Sequence, residues 1–155
     1  MSKAQVGKIA PNFKLPATGE RDVELKSLRG KNVVLYFYPK DNTPGCTTEG
    51  QDFAANYAKF RRRNAVVLGI SRDTVASHEK FKEKFNFPFE LLADTDEKAC
   101  KLYDVIKEKN MYGRKVMGIV RSTFLIDANG KLQCEWLKVK VKGHVDKVLE
   151  AVDSV

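Results

Sequence analysis

Apolar residues recur along this chain with two periods, and the two alternate. Asn32 to Tyr38, Ala65 to Ser71 and Ser122 to Asp127 are short runs rich in β-branched and aromatic residues, the composition of strands. The first two are apolar at consecutive positions, which predicts central strands covered on both faces. Asp127-Ala128-Asn129-Gly130 then predicts a turn into another strand, Lys131 to Leu137, with Leu132, Cys134 and Trp136 on one face. A shorter pair of strands is expected on either side of Ala17-Thr18-Gly19-Glu20.

The stretches in between have helical spacing. Thr47 to Arg63 aligns Gly50, Phe53, Tyr57 and Phe60 on one stripe, and Thr74 to Asn86 aligns His78, Phe81 and Phe85. Asp96 to Val105 groups Ala99, Cys100 and Tyr103, and a last helix from about His144 turns Val145, Val148, Leu149 and Val152 inward. Lys107 to Gly118 is polar and contains glycine, so it reads as a loop just before a core strand, a place where sites are often lined. Strands alternating with helices predict an α/β layered fold, a single domain over 1–155 with a late antiparallel hairpin.

Composition agrees and removes several classes. With 155 residues, 43% apolar and 31% charged, the chain can bury a sizeable core and is neither disordered nor fibrous. Its longest apolar runs, such as Val33 to Tyr38, fall far short of the ~20 residues of a membrane span. Met1 to Lys8 lacks the apolar stretch of a secretory signal, so a soluble, cytoplasmic protein without a membrane partner is expected. The net charge of +8 raises nucleic-acid binding, but the cations are spread from Lys3 to Lys147. The densest knots, Arg61-Arg62-Arg63 and Lys138-Val139-Lys140-Val141-Lys142, sit in no helix-turn-helix or RNP-like context. They read as solvated charge, with no nucleic-acid partner.

Cys46, Cys100 and Cys134 are too few and too scattered for a disulfide scaffold, and with only His78 and His144 they show no metal-ligand spacing. No metal or organic cofactor is expected. Each thiol is then either a small buried residue or a reactive one. Cys46 falls in the first turn of the helix opened by Tyr38-Pro39-Lys40-Asp41-Asn42-Thr43-Pro44-Gly45-Cys46-Thr47-Thr48-Glu49, where unpaired N–H groups and the helix dipole favour a thiolate. Such positions bring a cysteine pKa from ~8.5 to between about 3.5 and 7.5. Pro44 and Gly45 fix the backbone approach, Thr43 supplies a hydroxyl nearby, and Pro39 can shield the sulfur from water. A cysteine that only fills a helix start would explain its burial but not this loop. Glu49 is a first-turn carboxylate, favourable with the dipole. His78 reads as a half-buried histidine with no acid or thiol in reach.

The loop resembles the active-site loop of peroxiredoxins, in particular the peroxiredoxin Q or bacterioferritin-comigratory-protein branch. Met111-Tyr112-Gly113-Arg114-Lys115-Val116-Met117-Gly118-Ile119 and Arg121-Ser122-Thr123-Phe124-Leu125-Ile126-Asp127 are similar to the same branch, as is the order of elements from Gly7 to the closing helix. The resemblance covers nearly the whole chain. It implies a thioredoxin-like fold, a mixed sheet flanked by helices, and a thiol peroxidase that reduces hydroperoxides through a cysteine sulfenic acid. It implies that Cys46 is the attacking sulfur, with Thr43 and Pro39 beside it and Arg121 as the site arginine. Backbone N–H groups, the Thr43 hydroxyl and Arg121 would then serve as donors to the departing oxygen. Glu49 and Gly45 support them.

One departure from the branch matters. A second cysteine usual five residues on, or on the following helix, is replaced by Gln51 and Lys82. Cys100 and Cys134 read as structural, so an external thiol (thioredoxin, glutaredoxin or a low-molecular-weight thiol) is expected to regenerate Cys46 without unwinding of the helix. An internal disulfide to Cys100 or Cys134 stays open. A monomer is expected. A thioredoxin-type disulfide oxidoreductase would need Cys-x-x-Cys where Cys46-Thr47-Thr48-Glu49 stands, and a cysteine phosphatase would need an arginine where Asp52 is. A basic nucleic-acid-binding or chaperone-like domain rests on the net charge alone.

Overall fold

The computed structural model describes residues 3–155, so Met1 and Ser2 of the leader reading and of the 1–155 domain reading lie outside it. A seven-stranded mixed sheet runs in the order β2-β1-β5-β4-β3-β8-β9. Its strands are β1 (Lys14–Ala17), β2 (Arg21–Glu24), β3 (Asn32–Phe37), β4 (Ala65–Ser71), β5 (Glu90–Ala93), β8 (Ser122–Ile126) and β9 (Leu132–Trp136). β3, β4 and β5 are parallel, while β8 and β1 join antiparallel. The helices are α1 (Pro44–Ala55), α2 (Tyr57–Arg62), α3 (Val75–Phe85), α4 (Lys98–Leu102) and α5 (His144–Val152). β6 (Ile106–Met111) and β7 (Arg114–Ile119) form a separate two-stranded ribbon.

The run of apolar residues in β3 is explained by two cores. Val33, Leu35 and Phe37 point into one, with Phe13, Cys100, Tyr103, Phe124 and Ile126. Val34, Tyr36 and Tyr38 point into the other, with Cys46, Phe53, Phe60, Leu125 and Val148. From Val33 onward, period-two alternation on a strand covered twice leaves no polar position, as expected for the middle of a sheet. In the second core the ring of Tyr36 stacks on Phe53 with centroids 4.6 Å apart, fixing α1 against β3. Gly50 of α1 lies against the Phe87 ring, where a Cβ would come within 2.5 Å of Cζ.

Three expectations change. The long helix over 47–63 begins earlier, at Pro44, and breaks at Asn56, whose Nδ2 donates to the Asp52 carbonyl at 2.9 Å and competes with the helical ladder. The buried stripe nevertheless continues across the break through Phe60. The segment 107–118 is a hairpin rather than a loop, closed by Tyr112 (φ 53°) and Gly113 (φ 80°), the paired positive φ values of a tight hairpin turn. Both faces of most of it meet solvent, so no apolar alternation marked its strands.

The third change concerns β9. Leu125 pairs with Cys134 but Ile126 pairs with Leu132, so Gln133 is an extra residue, a β-bulge. The bulge reverses the alternation. Leu132 joins the core of Phe37, whereas Cys134 and Trp136 pack on the core of Cys46.

Candidate active site

β3 delivers the chain to the site. Tyr38 N–H still bonds to the Ile70 carbonyl, and the chain then leaves the sheet through half-buried Pro39. Asp41 pins the loop that follows. Its carboxylate accepts from Tyr38 Oη at 2.6 Å and Ser77 Oγ at 2.8 Å and lies 2.7 Å from His78 Nδ1, while its N–H donates to Asp73 Oδ2 at 2.9 Å. His78 is therefore fully buried rather than half-buried, with a carboxylate on Nδ1 and the Leu92 carbonyl 2.9 Å from Nε2. This partner was invisible in the sequence because α3 comes back to the loop only through the sheet. Asp41, Asp73 and His78 each place a potential ligand atom within 4.8 Å of the others. Tyr38, Ser71, Ser77 and the Asp41 N–H already bond the carboxylates of this cluster.

Thr43 is the N-cap of α1, extended at φ −97°, ψ 156°, and Pro44 takes the first helical position. The Thr43 hydroxyl gives its hydrogen to the Lys40 carbonyl at 2.8 Å. Its hydrogen is thereby engaged, and the hydroxyl oxygen is left as an acceptor, where the sequence reading expected a donor. Thr47 N–H bonds to the Thr43 carbonyl at 2.8 Å, and the N–H groups of Gly45 and Cys46 lie ahead of the helical ladder.

Cys46 is 1% exposed, at the edge of the core it shares with Tyr36 and Phe53. Arg121, just before β8, reaches it from across the molecule: Nη2 lies 3.4 Å from Sγ and Nη1 donates to Glu49 Oε1 at 2.6 Å. Gly45 makes room for this approach, since a Cβ there would stand 3.0 Å from Nη2. Glu49 is fully buried, and its other oxygen, Oε2, has no hydrogen-bond partner. Burial pushes its pKa up to about 7 against the pull of Arg121. The start of a helix and a guanidinium thus meet at one sulfur, an arrangement that stabilises negative charge there.

The other thiols are placed differently. Cys100 is fully buried in the core on the opposite face of the sheet, with its N–H on Asp94 Oδ2 at 2.7 Å. Burial, helped by the Asp94 carboxylate, pushes its thiol far above the ordinary range. Cys134 is half-buried against the core that holds Cys46. Gln51 is exposed on α1, and Lys82 of α3 is paired with Glu90 at 2.6 Å.

A family model described as AhpC/TSA matches residues 6–134. The chain belongs to the AhpC/TSA family, as a peroxiredoxin. The peroxiredoxin is 47% identical over 152 residues to a putative peroxiredoxin Bcp of Helicobacter pylori, covering 98% of this chain and 100% of that one. A cysteine variant of Xylella fastidiosa peroxiredoxin Q superposes with a TM-score of 0.93 at 43% identity, covering 99% and 98% of the two chains. The bacterioferritin comigratory protein of Xanthomonas campestris, whose structure is described for alkyl peroxide reduction, gives 0.88 at 49% identity, covering 92% and 90%. The peroxiredoxin is thus of the Q branch, with a thioredoxin-like fold, and is a thiol peroxidase: it reduces peroxide with electrons from thiols. The disulfide-oxidoreductase and nucleic-acid readings are not favoured. Among the described residues no helix is long and apolar enough to cross a membrane.

Proposed function

We propose that Cys46 is the sulfur that attacks the peroxide, and that hydrogen peroxide and alkyl hydroperoxides, the latter reduced by the Xanthomonas relative, are its substrates. The thiolate attacks the terminal oxygen; the S–O bond forms as the O–O bond breaks. Sulfur is oxidised to the sulfenic acid, and the departing oxygen leaves as alkoxide or hydroxide and takes a proton from solvent. Negative charge therefore moves from sulfur to the departing oxygen. Arg121 and the N–H groups of Gly45 and Cys46 stabilise it along that path. Thr43 accepts a hydrogen bond from the peroxide O–H, its own hydrogen being held by Lys40. Pro39 limits water, Gly45 admits the guanidinium, and Glu49 orients it. The 3.4 Å contact of Arg121 with Cys46 at the start of α1 is the observation that carries this reading.

An external thiol then condenses with the sulfenic acid, releasing water and forming a mixed disulfide, and a second thiol reduces that disulfide to restore Cys46. Thioredoxin, glutaredoxin or a small thiol all fit this chemistry. The placement of Cys100 beyond the sheet supports an external donor. Cys46 is only 1% exposed, so an opening of the first turn of α1 would bring the sulfur within reach of a bulky thiol. We further infer a monomer, one domain, working in the cytoplasm. All three cysteines are free, as suits a reducing compartment.

Intact-mass analysis after one equivalent of peroxide tests the reading. The parent gains one oxygen and Cys46→Ser gains none, while Cys100→Ser and Cys134→Ser behave as the parent. A Cys46→Ser variant that still consumes peroxide, or a quantitative internal disulfide in the parent, overturns it.

A further inference from the structure

Only the foot of the β6–β7 hairpin is packed: Ile106 and Ile119 join the core of Phe37. From 107 to 117 every residue is exposed except Lys109, which is half-buried. Six residue pairs, from Ile106 with Ile119 to Met111 with Arg114, give the ribbon a length of about 20 Å. A two-stranded hairpin alone is marginal in water. This one nevertheless leaves Met111 50% and Tyr112 100% exposed at its turn.

The ladder sorts the side chains onto two faces, since directly paired residues share a face and successive pairs alternate. One face takes Glu108, Met117, Asn110 and Lys115, and its charges cancel, with Lys115 Nζ 3.7 Å from Glu108 Oε1. The other takes Lys107, Lys109, Met111, Arg114 and Val116. Those five described residues are three cations and two apolar side chains, with no acid among them. Asp104, before β6, holds Lys107 at 2.8 Å, while Arg114 is exposed at the far end.

The foot of the hairpin leads into the thiol site. Ile119 ends β7, Val120 N–H bonds to the Val105 carbonyl at 2.7 Å, and the next residue is Arg121, whose Nη2 lies 3.4 Å from Cys46 Sγ. A partner that grips the hairpin therefore stands within two residues of the guanidinium that touches the sulfur. Charge selects the partner. A second copy would set three cations against three, on a chain that already carries +8, and like charges oppose that contact. Met, Tyr and Arg are the residues that protein interfaces favour, so the face fits an acidic protein surface with an apolar centre. Five side chains are far fewer than the roughly 20–30 residues a side of a durable interface, a size that suits brief redox encounters.

We propose that the β6–β7 hairpin is the docking surface for the electron donor, a dithiol protein with an acidic surface around its reactive cysteine. The proposal rests on the reading that an external thiol regenerates Cys46. The donor's sulfur attacks the sulfenic sulfur: an S–S bond forms, the S–O bond breaks, and the oxygen leaves as water. The donor's second thiol then displaces Cys46, and the donor departs oxidised to its disulfide.

The test is the rate of reduction of peroxide-oxidised protein by an acidic thioredoxin and, separately, by dithiothreitol. The proteins are the parent, Arg114→Glu, the double variant Met111→Ser with Val116→Ser, and Lys115→Gln on the other face. Arg114→Glu and the double variant are expected to be reduced by thioredoxin about tenfold more slowly. Their reduction by dithiothreitol and their oxidation by peroxide match the parent. Added salt slows thioredoxin with the parent more than with Arg114→Glu, and Lys115→Gln overlays the parent. Variants equal to the parent with thioredoxin, a loss shared by dithiothreitol, or a parent that thioredoxin reduces no faster than dithiothreitol overturns the proposal. So does a parent dimer, in sedimentation, that the double variant dissolves, or an RNA oligonucleotide whose binding Arg114→Glu abolishes. Intact mass of the oxidised parent, taken before the donor is added, separates the two readings. One added oxygen with unshifted variants sinks only the docking surface; an internal disulfide sinks external resolution, while the thioredoxin rates still judge the hairpin.

Discussion

Glu49 is fully buried and accepts a 2.6 Å hydrogen bond from Nη1 of Arg121, leaving its Oε2 without a partner. Burial raises its pKa to about 7, more than Arg121 lowers it. The pair is thus a device for aiming a guanidinium at Cys46 rather than a source of stability, as buried ion pairs often are.

The pH dependence of stability follows from that shift. Between the ordinary carboxylate value and about 7, the native protein holds a proton on Glu49 that the unfolded chain has released, so stability falls as pH rises through this window. The full contribution is on the order of 3 kcal/mol. Glu49→Gln removes it. Urea melts at pH 5 and pH 8 are expected to show a smaller drop in the variant than in the parent, together with slower peroxide oxidation; equal drops would refute the burial argument.

Arg121→Met is expected to slow Cys46 oxidation by about 10²-fold, the usual cost of losing a donor at a charge-developing centre, and to move the midpoint of thiol reactivity upward. Gly45→Ala places a methyl 3.0 Å from Nη2 and displaces the guanidinium by a few tenths of an ångström. A slowing of about threefold, with unchanged folding, is expected. Stopped-flow oxidation measures both, and rates equal to the parent's would remove Arg121 from the site.

Asp41 joins Tyr38, Ser77 and His78 under the loop. Asp41→Ala leaves these buried groups without their acceptor and is expected to destabilise the fold by roughly 2–4 kcal/mol. Denaturant unfolding gives the value. Because the loop carries Thr43 and Cys46, faster hydrogen exchange over 39–47 should accompany the loss.

Oxidised Cys46 awaits a thiol from outside, so excess peroxide without thiol is expected to drive it to the sulfinic acid. Mass spectra should show gain of a second oxygen on Cys46, suppressed as thiol is raised. A product that instead stops at a Cys46–Cys134 disulfide would show that the partner is internal.

Local chemistry was legible in the sequence. The short runs of β-branched and aromatic residues located β3, β4 and β8 to within a residue, and the 3.6-residue stripes located the buried faces of α1, α3 and α5, because strand and helix preferences are properties of neighbours along the chain. The start of α1 with Cys46 in its first turn was legible for the same reason, in Pro44, Gly45 and the apolar stripe behind them. Where β6 and β7 met solvent on both faces, that signal vanished.

Only tertiary structure decided the rest. The bulge at Gln133 moved Cys134 to the side of Cys46 and left Leu132 on the other, a reversal that alternation cannot anticipate. His78 found Asp41, and Arg121 found Glu49 and Cys46, across 37 to 75 positions of sequence. Those meetings are set by strand order: β8 lies beside β3, so the residue leading into β8 faces the helix that β3 feeds. A side chain's type is written at its own position, but its partner depends on which strands the whole chain brings together.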